Sequence, residues 1–312
     1  MPKFTDDQFG DDSGQLQVHK QGHFGFSATR IEDLGAAEYT LVTIVADRSG
    51  STSSFQKEME SALKSIVEAC QHSDRSDNLL IRLVCFDDTH EEIHGFRQLP
   101  GKQQKVEMQQ WLDGYDGALK PAGLTACYDA TFDAIEAENN YGQQLLEEDF
   151  GVNGLLVVIT DGWDNRSTYP ISMVRSEFAR STKMECMESL VTILVAVGQT
   201  DAKFIIVPQD IDRHEIDPKD AKTTAANAVL HKSYEKAEQE RKAKYPDYKV
   251  VPVYDPSDQL DQFDRQARFG HYVPLADAGK STIARLAQFV SQSISSQSQA
   301  LGTGGPSQSI TF

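Results

Sequence analysis

Three things are scarce in this chain: positive charge, cysteine and long apolar runs. Across 312 residues, 30 Lys and Arg stand against 47 Asp and Glu, a net charge of −17. A surface that grips nucleic acid or anionic lipid without specificity needs clustered Lys and Arg, so the balance argues against both partners. It suits a protein that attracts cations or basic partners. No apolar run approaches the ~20 residues of a membrane span; stretches such as "LLVVIT" (155–160) and "VTILVAV" (191–197) are short. The opening "MPKFTDDQFGDDSGQ" has no apolar signal core and is acidic where a secretory signal is basic. The four cysteines, Cys70, Cys85, Cys127 and Cys186, form no Cys-x-x-Cys pair. Three of them lie in apolar-periodic segments, which reads as buried reduced thiols and not as a disulfide framework. Together these absences give the expectation of a cytoplasmic protein. There is no internal repeat and no Gly-rich phosphate loop.

What is present is ordinary globular composition, 25% charged and 39% hydrophobic, in a chain long enough to bury a full core. Residues 1–38 read as a polar N-terminal arm with Phe24, Phe26 and Leu34 as its docking groups. Residues 39–296 read as one domain. "YTLVTIVAD" (39–47) is a buried parallel strand, and Phe55, Met59, Leu63, Ile66 and Cys70 then share one helical face. "NLLIRLVCF" (78–86) is a second strand, and "HEEIHGFRQL" (90–99) its antiparallel hairpin partner at a sheet edge. Helices follow at 101–114, 124–138 and 171–182, and strands at 154–161 and 190–198. The rhythm breaks at 199–269, an inserted helical excursion whose Ala/Lys/Glu-rich stretch 217–248 reads as solvated helix packed outside the sheet. "HYVPLAD" (271–277) is the last strand, 281–294 a final amphipathic helix, and 297–312 a Ser/Gln/Gly tail expected to be disordered. Strand–helix alternation of this kind predicts an α/β fold: a doubly wound, mostly parallel sheet with one antiparallel edge strand and helices on both faces.

In such a sheet ligands sit outside the carboxyl ends of the strands. Two of the most apolar strands end there on a carboxylate, "VTIVAD" at Asp47 and "VVITD" at Asp161. Neighbouring strands would bring both acids to one spot, where they repel unless a cation lies between them. Ser49 and Ser51 follow Asp47 in a tight loop and add neutral oxygens. "PAGLTACYDA" (121–130) adds the hydroxyl of Thr125 at a helix start. A set of Asp47, Ser49, Ser51, Thr125 and Asp161 is all hard oxygen, which selects Mg²⁺, Mn²⁺ or Ca²⁺ over zinc or copper.

These same residues carry a family likeness. Asp47-Arg48-Ser49-Gly50-Ser51 resembles the Asp-x-Ser-x-Ser motif of von Willebrand factor A (vWA) domains. Gly123 to Ala130 is similar to the family's Gly-x-Thr-x-x-x-Asp-Ala segment, and "VVITDGWDN" (157–165) to its Thr-Asp-Gly-x-Asp-Asn strand ending. The likeness runs from about 38 to 198 and resumes near 270 to 296. The closing "FVSQSISS" (289–296) is similar to bacterial stand-alone vWA proteins of the tellurite-resistance type. The resemblance implies a metal-ion-dependent adhesion site (MIDAS) at Asp47, Ser49, Ser51, Thr125 and Asp161. It implies that the two serines bind metal directly, that Thr125 does so when ligand is engaged, and that the two acids act largely through water. A partner protein's Asp or Glu would then complete the shell.

Other residues admit two readings. Asp47 alone could be a strand-end turn residue and the serines helix caps. Asp129 reads as a carboxylate bonding backbone or hydroxyls behind the site, with metal ligation as the competing role. Asp164 and Asn165 read as loop or cap residues, and Asp87 and Asp88 as a solvated strand end. His90 and His94, at i, i+4 on a strand, would share a face but show no third ligand. Arg48 and Trp163 flank the rim as ordinary surface or as anchors for a partner. The leading expectation is a non-enzymatic, cation-dependent protein-binding module that assembles a larger complex. The alternative is a metal-dependent phosphohydrolase, against which stands the lack of an obvious nucleophile and base pair.

Overall fold

The computed structural model describes residues 16–20, 22–54, 56–162, 164–183, 186–197, 204–208, 235, 238–244, 246–252, 256–275, 288–290 and 292–294. Its centre is an eight-stranded sheet in the order β1 (Leu16–His19), β2 (Phe26–Thr29), β5 (His90–Gln98), β4 (Leu79–Phe86), β3 (Glu38–Asp47), β6 (Gly151–Thr160), β7 (Ser189–Val197) and β10 (His271–Leu275). The four pairings from β4 through β10 are parallel, and β5 runs antiparallel to β4 as the polar sequence of 90–99 predicts. A separate antiparallel pair joins β8 (Phe204–Pro208) to β9 (Tyr248–Pro252).

The central strands are apolar on both faces because helices cover both. From β3, Val42, Ile44 and Ala46 enter a core shared with Met59, Leu63 and Ile66 of α1 (Gln56–His72) and with Trp111 and Leu112 of α2 (Lys105–Asp113). Val45 points the other way, into a core with Ala130, Ala134 and Ile135 of α3 (Cys127–Glu147) and Val174 and Phe178 of α4 (Ile171–Lys183). Helical residues 288–290 and 292–294 close the first face through Phe289, Val290 and Ile294. Among the described residues no helix is long and apolar enough to cross a membrane.

The sheet extends past β5, which the sequence reading did not anticipate. β2 pairs parallel to β5 at Ala28↔Phe96, and β1 pairs antiparallel to β2. Gly95 permits this approach, since a Cβ there would collide with the Ser27 carbonyl. Phe26 is fully buried against Phe96, and the Tyr141 hydroxyl of α3 donates to the Thr29 carbonyl at 2.6 Å. Within the arm, residues 16–19 and 26–29 are therefore sheet strands, held by long-range contacts that four-residue strands do not advertise. Within the 199–269 stretch, α5 (Pro256–Ala267) buries Leu260, Phe263 and Ala267 in the α3–α4 core. A deletion reaching residue 262 would remove a core side chain. Residues 1–15, Phe55, Trp163, 217–234, 276–287 and 297–312 lie outside the described residues, as do parts of the closing segment.

A buried polar group sits between β2, β5, β4 and α3. Arg82 Nε donates to Glu92 Oε2 at 2.6 Å, and both side chains are fully buried. The other Glu92 oxygen accepts from Ser27 N and Ser27 Oγ at 2.9 and 2.6 Å, which latches β2 to β5. Glu138 of α3 is also fully buried. Burial pushes its carboxyl up to about 8, while Thr43 and Arg82 pull the other way. Glu92 already neutralises Arg82, so an ionised Glu138 would be a second anion beside one cation. A value raised above the ordinary 4.5 means stability that is present at low pH and lost as pH rises through about 8. Glu138→Gln should match wild type near pH 5 and exceed it above pH 8. The gain there is on the order of 3 to 5 kcal/mol at ~1.4 kcal/mol per pH unit. Denaturant unfolding at the two pH values checks this; an equal pH dependence in both proteins contradicts it.

Candidate metal centre

The site begins with register. β3 and β6 are parallel neighbours with Ala46 opposite Ile159, so both chains leave the sheet together at Asp47 and Asp161. Asp47 is fully buried and both its oxygens are used. Oδ1 accepts from Ser49 N at 2.7 Å, an Asx turn that reverses the chain directly after the strand. Oδ2 accepts from the Thr160 hydroxyl at 2.6 Å, across the β3–β6 gap. A 3₁₀ turn at Gly50–Ser54 follows, pinned by Thr52 N and Oγ1 donating to the Ser49 carbonyl at 3.0 and 2.8 Å. This geometry sets Ser49 Oγ 3.0 Å from Ser51 Oγ, and Ser51 Oγ donates to Asp161 Oδ1 at 3.0 Å. Asp47, Ser49, Ser51 and Asp161 thus form one connected polar set.

Thr125 joins through its loop. Ala122 N donates to the Arg48 carbonyl at 2.9 Å, and Gly50 N to the Gly123 carbonyl at 3.2 Å. Gly123 has φ +68°, a left-handed conformation that favours glycine. Thr125 itself is 3% exposed. Its N–H donates to Asn165 Oδ1 at 2.9 Å, and its carbonyl accepts from Asn165 N and Arg166 N at 3.0 and 3.1 Å. Three loops, after β3, before α3 and after β6, are therefore cross-tied by backbone.

The two acids are uncomfortable as anions. Burial, then the charge of Asp47, pushes Asp161 up to about 6, and the Ser51 hydrogen bond only partly offsets this. Burial also raises Asp47, against the hydrogen bonds from Thr160 and Ser49. Burial and then the negative charges of Asp164, Asp47 and Asp161 hold the Cys127 thiol well above its ordinary range. Such a pair is the environment a divalent cation relieves, and the donors beside it are hydroxyls and carboxylates alone. The residues present fit an oxygen-liganded ion.

The neighbouring residues have other tasks. Asp129 accepts from Thr168 N at 2.9 Å and Tyr169 N at 2.8 Å, so it braces the 168–169 loop, the backbone-bonding role of the two considered. Asp164 and Ser167 cap α3 from outside: Tyr128 N donates to Asp164 Oδ2 at 2.9 Å, and Asp129 N to Ser167 Oγ at 3.1 Å. Asp88 is exposed, but Asp87 corrects its reading as solvated. It is 8% exposed, accepting from Arg48 Nε at 3.0 Å and Thr89 N at 2.7 Å. Arg48 also pairs with Glu91, so it is a tied structural group and not a free anchor. His90 and His94 do not share a face. A register shift opposite Leu83 and Val84 turns the strand between Glu92 and His94. His94 then contacts Tyr115 Oη at 2.8 Å near α2, while His90 lies 2.9 Å from Asp133 Oδ2 on α3. Burial, then Arg97, pushes His94 down to about 3. The reading missed Thr160 and Ser167. Thr160 carried a signal, a hydroxyl one residue before the strand-ending acid.

No family model matches the chain, and no curated protein matches it by sequence. Solved structures align with it at low similarity. An aerotolerance-related membrane protein from Bacteroides fragilis NCTC 9343 aligns at 14% identity and TM-score 0.41, over 80% of this chain and 98% of that one. A von Willebrand factor type A structure from Catenulispora acidiphila aligns at 12% and 0.39, over 78% of this chain and 43% of that one. Manganese-loaded TRAP protein of Plasmodium vivax aligns at 18% and 0.33, over 51% of this chain and 58% of that one. At this level the likeness concerns the arrangement of strands and helices only.

Asp47 separates charge from shape. In EDTA at pH 8, Asp47→Asn should be at least as stable as wild type, because it removes like-charge repulsion and keeps an acceptor for Ser49 N. Asp47→Ala should fall below Asp47→Asn by about 1 to 3 kcal/mol, since it orphans the Ser49 and Thr160 donors. Thermal melts of the three proteins check the order; an Asn variant less stable than Ala contradicts the electrostatic account.

Proposed function

We propose that this chain is a cation-dependent protein-binding module of the vWA type, in which an ion at the ends of β3 and β6 bridges to a carboxylate of a partner protein. The observation that carries it is the acid pair at the strand ends, fully buried Asp47 and part-buried Asp161, the latter bonded by the Ser51 hydroxyl with Ser49 beside it. Ser49, Ser51 and Thr125 would hold the ion directly, with Asp47 and Asp161 bracing the shell largely through water. Mg²⁺ is the first candidate, with Mn²⁺ and Ca²⁺ as alternatives of the same oxygen preference. The bound ion supplies an electrophilic coordination position; the chain's own residues set where that position points. Neutral direct ligands keep the ion attractive to an incoming Asp or Glu.

Binding is favoured over catalysis by what the surrounding acids do. Asp87 is paired with Arg48 and Thr89, Asp129 with the 168–169 backbone, and Asp164 with the α3 N-terminus. Carboxylates engaged in this way support the site's shape and do not stand ready as bases. The four cysteines are separate buried thiols, which supports a reducing compartment such as the cytoplasm.

The test couples stability to capture. Mg²⁺ titration should raise the melting temperature of wild type, by the equivalent of about 2.7 kcal/mol at a hundredfold excess over Kd, and leave Asp161→Asn nearly unmoved. A partner recovered on immobilised protein with Mg²⁺ or Mn²⁺ should be lost in EDTA. Thr125→Ala should keep weak metal stabilisation while capture drops. A wild-type Mg²⁺ response in Asp161→Asn, or equal recovery of every partner with and without EDTA, contradicts the proposal. Turnover of a simple phosphate ester by wild type and not by Asp161→Asn would favour the hydrolase instead.

A further inference from the structure

A second group of potential ligands lies away from the β3–β6 ends. His23, in the segment between β1 and β2, meets Asp133 and Glu136 on one face of α3. One ligand atom from each of the three lies within 4.8 Å of the other two. Asp133 and Glu136 stand at i, i+3, the spacing that places two side chains side by side on a helix. The two carboxylates are sequestered, with side chains 10% and 14% exposed, while the His23 ring is 51% exposed and open to an arriving ion.

The cluster has the support that ligands need. His90 Nδ1 lies 2.9 Å from Asp133 Oδ2 and fixes that carboxylate from β5. The other oxygen, Asp133 Oδ1, is buried and has no hydrogen-bond partner among the described residues. A buried carboxylate oxygen without a donor costs free energy that a cation would recover. His23 N donates to Glu136 Oε2 at 2.7 Å, and the His23 ring lies 2.9 Å from Glu136 Oε1. Phe132 and Tyr169 meet the imidazole edge-on at 5.3 and 5.6 Å and set its orientation. Gly22, at φ +84°, lets the backbone descend onto Glu136, where a Cβ would crowd the carboxylate.

We propose that His23, Asp133 and Glu136 form a second cation site, distinct from the all-oxygen centre, that takes a borderline transition ion such as Zn²⁺. One imidazole nitrogen and two carboxylates suit Zn²⁺, Co²⁺ or Mn²⁺ better than Mg²⁺, which prefers oxygen alone. Three protein ligands leave a position for water. His90 is a positioning residue, since it acts on the ion through Asp133. The site clips the β1–β2 segment to α3, adding an electrostatic tie to a short pair of strands.

Co²⁺ titration of the full chain, read by its visible d–d absorption, tests this beside Zn²⁺ calorimetry. The proteins are wild type, His23→Ala, Glu136→Gln and Asp161→Asn. Asp161→Asn should keep a Zn²⁺ site and the absorption of nitrogen-containing, low-coordinate Co²⁺. His23→Ala and Glu136→Gln should each weaken that site by roughly tenfold or more, with circular dichroism unchanged because His23 is half exposed. Loss of all Zn²⁺ binding in Asp161→Asn would place the ion at the first centre and overturn the proposal. Identical Co²⁺ spectra and affinities in wild type and His23→Ala would overturn it as well.

Discussion

Two carboxylates meet at the ends of β3 and β6 because the strands are parallel, adjacent and in register. Most of the chemistry around the site answers that constraint. Asp47 is held by one backbone N–H and one hydroxyl, and Asp161 by a hydroxyl. None of these donors carries charge, so the repulsion is softened and not cancelled. A protein that needed only a stable strand end would place a cationic side chain there. Arg48 is one residue from Asp47, yet it turns away to Asp87 and Glu91. The internal cation is directed elsewhere.

The hydroxyls of Ser49, Ser51 and Thr125 sit on backbone that is fixed from several directions. The 48–50 loop is bonded to 122–123, the Thr125 backbone to Asn165, and the α3 N-terminus to Asp164 and Ser167. Asp164 meets free N–H groups at a helix start, where a negative charge is favoured. The loop after β6 is thereby coupled to α3, and a displacement of Thr125 would strain the caps. The positions of the Thr125 loop and the 164–169 loop are linked by these bonds.

Much of this was legible in the sequence because the signals are local. Apolar β-branched runs ending on Asp, followed by hydroxyls, gave β3, β6 and their acids. Helices α1 and α4 followed from spacing, with ends displaced by a residue or two. What stayed hidden depends on partners far along the chain. Phe26 and Ala28 are buried only because β5 offers Gly95 and Phe96 to pair with. Asp87 looks like a loop acid until Arg48 is brought 3.0 Å from it. His90 and His94 obey an even spacing that a shift in strand register cancels. The α5 helix hides Leu260, Phe263 and Ala267 among nine polar or small neighbours, a stripe too thin to stand out before α4 is known to face it.

The α3 helix unites these features. One acidic side of it meets a different segment at successive turns. Asp129 takes the 168–169 backbone, Asp133 takes His90 of β5, and Glu136 takes His23 of the N-terminal segment. Its opposite side offers Glu138, kept neutral by burial next to an ion pair that is already balanced. Those three acids each have a hydrogen-bonding partner, whereas a buried acid without one is driven toward its protonated form. The same rule acts at the sheet ends, where Asp47 is fully buried, Asp161 is part-buried, and no salt bridge to either is found among the described residues. Neutralisation from outside, by an ion, is the remaining way to keep both acids charged in that place.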